Sequence, residues 1–204
     1  MSRASMGSLY SFGDYEGNKF RYLRSGYGTA RTALLMHGYS FSCDVWAESG
    51  TMACFLESGY SVTSLDMPGY PNSGSKFAME ERAYPDFIDY VVKNVVKGRP
   101  VLLGSSLSGY FALRYASLHA PSIKALIVVA PVRIPEVRLE KIKVPTLGIW
   151  GSDDMVSTPG NAGSLSGAIS DSETCIIDGA AHACYLDKPA EFNERISAFL
   201  AKLH

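Results

Sequence analysis

The sequence has no long apolar run. Its longest central stretch without a polar residue, Ala125–Val132, has the length of a strand and is far too short to span a bilayer, so no membrane span is expected. Charge of one sign is also missing. Nineteen Lys and Arg face 20 Asp and Glu, a formal net charge of −1, which gives nucleic acid or an anionic membrane nothing to bind. The four cysteines, Cys43, Cys54, Cys175 and Cys184, are scattered without C-x-x-C or metal-ligand spacing. Free thiols and no metal are therefore expected, in a reducing cytoplasm. Met1–Phe12 has no apolar core of the kind a secretory signal carries. Repeats, low-complexity segments and Pro/Gly/Ser linkers are absent too, so residues 1–204 are expected to form one domain.

What is present is globular: 47% hydrophobic and 19% charged residues, enough for one sizeable core. The chain is organised around Arg99-Pro100-Val101-Leu102-Leu103-Gly104-Ser105-Ser106-Leu107-Ser108-Gly109. An apolar run stops at Gly104, and a helical pattern of Leu107, Phe111, Tyr115 and Leu118 follows. The stretch reads as strand, sharp turn and helix with Ser106 at the apex, close to a G-x-S-x-G nucleophile elbow. Ser108 stands where Gly is usual. A Gly/Ser loop joining strand to helix explains the motif equally well. If it is an elbow, the Leu107 N–H sits at a helix N-terminus and can face developing negative charge.

Around this stretch, apolar strands alternate with helices. A β-hairpin flanks Glu16-Gly17-Asn18, from Ser8–Phe12 to Lys19–Arg24. Strands are expected at Thr32–Met36, Tyr60–Leu65, Lys124–Ala130, Thr146–Trp150 and Thr174–Ile177. Helices are expected at Trp46–Leu56, around Phe87–Val95 and weakly at Gly160–Ile169. A last helix is expected from Asp187-Lys188-Pro189, with Asp187 as its cap and Phe192, Ile196, Phe199 and Leu200 inward. Near-continuous apolar strands separated by helices imply an α/β fold, a mostly parallel sheet covered by helices on both faces. Sites in such sheets lie beyond the strands' carboxyl ends.

The polar residues collect at those ends. His37-Gly38-Tyr39-Ser40 follows a strand, and Gly38 permits close approach, so the Tyr39 N–H can pair with the Leu107 N–H as oxyanion donors. His37 itself reads as a turn histidine with no proton-transfer role. After a late strand come Gly151-Ser152-Asp153-Asp154, where one carboxylate can close the turn and the other can orient an imidazole. Gly179-Ala180-Ala181-His182 follows the last strand and can reach across the sheet ends. His119 and His204 fit this role poorly. The order Ser106, Asp154, His182 is that of the α/β-hydrolases.

From Thr32 onward the chain resembles that superfamily, on four motifs in order: Leu35-Met36-His37-Gly38, Asp66-Met67-Pro68-Gly69-Tyr70-Pro71-Asn72-Ser73, the elbow, and Gly151-Ser152-Asp153-Asp154 with Gly179–His182. It is most similar to the small lidless α/β-hydrolase domain-containing protein 14 group, through Ser40-Phe41-Ser42, Ser106-Leu107-Ser108-Gly109, Val129-Ala130-Pro131-Val132 and Ala181–Pro189. The resemblance makes Ser108 part of the group's pattern. It implies a catalytic Ser106, Asp154 and His182, no cofactor, and hydrolysis or transfer of small acyl groups. The family's acid lies three residues after the Gly, at Asp154, which leaves Asp153 to hold the turn's N–H groups. Asp66 is read as structural.

Superfamily members often insert a lid where this chain has only Pro131–Pro145, with at most one short helix. An open site favours small acyl esters over long-chain lipids. The Gly74–Ala83 loop with Tyr39, Phe41, Tyr70 and Tyr110 is the expected pocket wall. The expected function is a serine esterase acting on a small-molecule substrate as a monomer or weak homodimer. The alternatives are an acyltransferase with a thiol or amine acceptor, and a non-catalytic binding module.

Overall fold

The structure is a computed structural model that describes residues 10–203. Ser8 and Leu9 of the expected first strand, and His204, lie outside the described residues. The hairpin strands β1 (Tyr10–Tyr15) and β2 (Asn18–Ser25) turn through Glu16 and Gly17, both at positive φ (53° and 80°). That pair of values belongs to the tight turn whose twist matches a hairpin. Six more strands follow: β3 (Thr32–Met36), β4 (Ser61–Leu65), β5 (Val101–Ser105), β6 (Ala125–Val129), β7 (Thr146–Gly151) and β8 (Ser172–Ile177). Among the described residues the sheet has the order β1-β2-β4-β3-β5-β6-β7-β8. β2 pairs antiparallel with β1 and β4, and every other pairing is parallel.

All five residues of β3, β4, β5 and β6 are buried, so these strands have no wet face. Alternation instead divides two cores. Leu34, Met36, Leu102, Leu126 and Val128 face one core; Ala33, Leu35, Val101, Leu103 and Ile127 face the other. Helices α3 (Tyr84–Val91), α4 (Leu107–His119) and α5 (Asn161–Ala168) cover the first face. Helices α1 (Val45–Glu48), α2 (Thr51–Glu57), α6 (Cys184–Asp187) and α7 (Pro189–Lys202) cover the second. This is the doubly covered, mostly parallel sheet expected from the strand pattern.

Four elements differ from expectation. The helix expected over Trp46–Leu56 is two short helices, because Gly50 takes φ 77° and ends α1 before α2 begins. The helix after Tyr84 widens into a π turn at Val92–Val96 and stops at Lys97, φ 59°. Asp187 does not cap α7: it lies in α6, and its Oδ2 accepts the Ala181 N–H at 2.8 Å. The connection between β6 and β7 has two 3-10 turns, Ile134–Glu136 and Leu139–Lys141, where at most one short helix was expected.

Candidate active site

The elbow is built by close backbone contact. A Cβ on Gly104 would lie 2.5 Å from the Ser108 carbonyl oxygen, and one on Gly109 would press on Pro131 at 3.0 Å. Gly104 therefore has no room for a side chain, one at Gly109 would require Pro131 to shift, and Ser108 lies between them in sequence order. Ser106 holds φ 54° and ψ −116°, a conformation that L-residues adopt only under constraint. The constraint is visible. The Ser106 N–H donates to Val129 O at 2.8 Å, and its carbonyl accepts the Tyr110 N–H at 3.0 Å and, more weakly, the Val132 N–H at 3.4 Å.

His182 reaches Ser106 from the loop after β8. A Cβ on Gly151 would meet the Ala180 carbonyl at 2.1 Å, and the Asp153 N–H donates to that same carbonyl at 2.9 Å. The end of β7 and the histidine loop therefore touch backbone to backbone. His182 Nδ1 lies 2.8 Å from Asp154 Oδ2, and His182 Nε2 lies 2.9 Å from Ser106 Oγ. A carboxylate only accepts, so Nδ1 carries the proton and Nε2 accepts from the serine hydroxyl. The Asp154 side chain is fully buried and the His182 side chain is 27% exposed.

The two adjacent aspartates divide their work differently from the expectation. Asp154 Oδ1 accepts the N–H groups of Val156 and Ser157 at 2.8 and 2.9 Å, while its Oδ2 faces His182. One residue thus closes the turn and orients the imidazole. The exposed Asp153 carboxylate accepts only the Ser152 hydroxyl at 2.8 Å. Ser157, which sequence reasoning missed, is buried. Its hydroxyl donates to Pro131 O at 2.7 Å and accepts from Trp150 Nε1 at 3.2 Å, joining the Asp154 turn to the chain beside the elbow. Its signal is the Asp-x-x-Ser spacing of a side chain that holds the backbone N–H three residues on.

The loop carrying Tyr39 is fixed from four directions. Gly38 O accepts His37 Nδ1–H at 2.8 Å and the Phe41 N–H at 3.0 Å; the Met67 N–H donates to His37 Nε2 at 3.0 Å; Ser108 Oγ donates to His37 O. No peptide bond among the described residues is cis, so pinning the Gly38 carbonyl on one side turns the Tyr39 N–H to the other. A Cβ on Gly38 would lie 3.7 Å from Ser106 Cβ, which places this peptide against the serine. The Leu107 N–H begins α4 and has no partner within the helix.

Asp66 sits in a buried network of its own. Its carboxylate accepts Arg21 Nε and the N–H groups of Cys43 (2.7 Å) and Gly74 (2.8 Å), with His37 Nε2 3.5 Å away. Burial opposes its charge, but the Arg21 guanidinium and these N–H groups outweigh it and hold the carboxyl well below the usual carboxylate range. Cys184, two residues from His182, is fully buried, and burial pushes its thiol up to about 12. On the expected pocket wall, the Tyr39 and Tyr70 rings meet at 5.2 Å. Beside them Arg133, at φ 55°, bridges Glu81 and Glu136 over the Tyr110 ring. Among the described residues, no three His, Cys, Asp or Glu side chains group as a metal would require, and no helix is long and apolar enough to cross a membrane.

A family profile described as alpha/beta hydrolase fold matches residues 34–139. The chain is 34% identical over 178 residues to "Protein ABHD14A" of Danio rerio, covering 83% of this chain and 64% of that protein, so it spans just under two thirds of that relative. It is 31% identical over 192 residues to the Rattus norvegicus protein named "Putative protein-lysine deacylase ABHD14B", covering 90% of each. Among solved structures, one named as a predicted CIB-like hydrolase from Thermoplasma acidophilum superposes with a TM-score of 0.87 at 28% identity, over 95% of this chain and 98% of its own. The sheet, the elbow and these matches agree: the chain belongs to the α/β-hydrolase fold family, alongside the ABHD14 proteins.

Proposed function

We propose that this protein is a serine acyl hydrolase that cleaves small acyl groups through an acyl-enzyme on Ser106. The observation that carries the reading is the hydrogen-bonded line Ser106 Oγ, His182 Nε2, His182 Nδ1, Asp154 Oδ2, at 2.9 and 2.8 Å. His182 takes the hydroxyl proton as Ser106 Oγ bonds to the acyl carbon. The carbonyl electrons move to oxygen, and that oxyanion rests on the Tyr39 and Leu107 N–H groups, each contributing about 3 kcal/mol. Asp154 stabilises the imidazolium. As the tetrahedral adduct collapses, His182 gives its proton to the leaving oxygen or nitrogen. Water then attacks the acyl-enzyme, loses a proton to His182, and the acid leaves as Ser106 recovers its proton.

The short β6–β7 connection and the part-exposed His182 support acetyl to butyryl groups over decanoyl or longer ones. A relative named as a lysine deacylase and covered over 90% of its length supports acylated lysine amines as a second substrate class beside esters. The test is fluorophosphonate labelling with peptide mapping, run with a panel of esters of graded acyl length and an acetyl-lysine peptide. Label on Ser106 and turnover lost in Ser106→Ala are expected. Label on Ser105 or Ser108, or peak activity on long-chain emulsified esters, overturns the reading. Added thiol or amine acceptors separate hydrolysis from transfer.

A further inference from the structure

The sheet has a second polar end. At the amino edge, opposite Ser106, a cavity of about 980 Å³ opens among the starts of β3 and β4, the approaches to β5 and β6, and the last turn of α7. Arg31, Arg99 and Lys124 line it. Arg31 and Lys124 immediately precede β3 and β6, and Arg99 lies two residues before β5 between them in the sheet, where neighbouring strands run about 4.8 Å apart. Three cationic side chains thus come from one short edge, where Glu57 supplies the carboxylate among the lining residues. Arg31 and Arg99 form no ion pair with any described residue.

Both guanidiniums are nevertheless positioned. Arg31 donates to Tyr60 Oη at 3.0 Å and to Leu203 O at 3.2 Å, and lies 4.5 Å from the Tyr60 ring centre. Arg99 donates to Ile123 O at 3.1 Å. Each guanidinium has five N–H donors, so most of each fork is left over. Thr32 lines the cavity with 8% of its surface, but its Oγ1 is itself fully enclosed and has no hydrogen-bond partner among the described residues. Buried polar groups in folded proteins almost always have one.

We propose that this cavity is a binding site for a small organic phosphate. A phosphate dianion there would take bidentate hydrogen bonds from the unused donors of the two arginines. The apolar side chains of Leu200 and Leu203 offer the rest of the molecule a surface. The cavity is of the size that holds a nucleotide-sized ligand. The site does not rest on the serine-hydrolase reading, and its test needs no turnover.

Isothermal calorimetry on the full chain at low salt, with inorganic pyrophosphate, AMP and ATP in turn, tests it. Saturable binding of pyrophosphate is expected, with Arg31→Gln and Arg99→Gln each weakening it about tenfold, the scale of one charged hydrogen bond. Thr32→Val should bind as the parent does, because the enclosed hydroxyl does not reach the ligand. Ser106→Ala should bind as the parent does. Tighter binding of AMP or ATP than of pyrophosphate assigns the extra affinity to the α7 surface, and equal binding assigns the site to the phosphate alone. Absence of binding by all three anions at millimolar concentration, or binding unchanged in both arginine variants whose thermal midpoints match the parent, overturns the proposal.

Discussion

The molecule holds two buried aspartates at strand ends, each beside a histidine, and they do opposite things. Asp66 follows β4 and approaches His37; Asp154 follows β7 and holds His182. Around Asp66 both carboxylate oxygens accept from Arg21 or backbone N–H groups, and both nitrogens of His37 are committed to the backbone. Around Asp154 one oxygen is committed to its own turn and the other to His182, whose far nitrogen meets a hydroxyl. His37 is fully buried and His182 is 27% exposed. An Asp–His pair is therefore not chemistry in itself. What matters is whether the far nitrogen of the ring is left to a group that can give up a proton.

The sharpest way to break this comparison is to remove each histidine in turn. His182→Gln, like Ser106→Ala, should lower kcat by about 10⁴ or more. His37→Gln should cost stability by loosening the Met67 contact, and its residual turnover should exceed that of His182→Gln by orders of magnitude. Turnover and thermal midpoints of the two variants decide it, and equal losses of turnover would put His37 in the chemistry.

The aspartates give the next contrast. Asp154→Asn should lose up to about 10⁴ in kcat, because the amide no longer fixes the tautomer or balances the imidazolium. Asp66→Asn should keep most turnover and lose about 3 kcal/mol of stability, since it takes the buried carboxylate from the Arg21 guanidinium and leaves it only a 3.4 Å contact with Asp44. Acid sharpens the same point. The Asp66 pKa is lowered from 3.8, so its charge stabilises the fold in full above that value, and the contribution is lost as pH falls below it. Denaturant midpoints taken from about pH 4 toward pH 2 should fall more steeply in the parent than in Asp66→Asn.

Smaller effects test the surroundings. Ser108→Gly removes the hydroxyl that holds the His37 carbonyl and should reduce kcat about tenfold through a less fixed Tyr39 N–H, with KM nearly unchanged. Asp153→Asn should change kcat and thermal midpoint least of all, within about 0.5 kcal/mol, because its carboxylate touches only a neighbouring hydroxyl. A dead Asp153→Asn with an active Asp154→Asn would reverse their assignment.

The fold was legible because β6 is apolar throughout and β3 and β5 are apolar at all but one position each, Thr32 and Ser105, a pattern that suits a sheet covered on both sides. Ser106, Asp154 and His182 were legible as a set because each follows a strand and their order along the chain is distinctive; the structure brings the three within hydrogen-bond reach. Details that depend on distant partners were not. Nothing near Arg21 announces that it meets Asp66, 45 residues away. The same holds for Ser157 Oγ and the Pro131 carbonyl, 26 residues apart. Asp187 looked like a helix cap because its residue type suits one, and its oxygen was instead claimed by the Ala181 N–H. The Asp153 and Asp154 expectation assumed one task per carboxylate, whereas a carboxylate has two oxygens and Asp154 uses both.

The β6–β7 connection has a bearing on how such a fold diversifies. Its beginning is anchored twice, Pro131 O to Ser157 and Val132 N–H to the Ser106 carbonyl, and Arg133 is tied to Glu81 across the surface. Beyond these anchors the chain surfaces at Glu136 and Arg138. Extra sequence spliced between those two residues would leave the sheet and the Ser106 backbone undisturbed. The segment is thus a grafting point, where a cap could be added to a working scaffold and chain-length selectivity acquired without refolding what lies beneath.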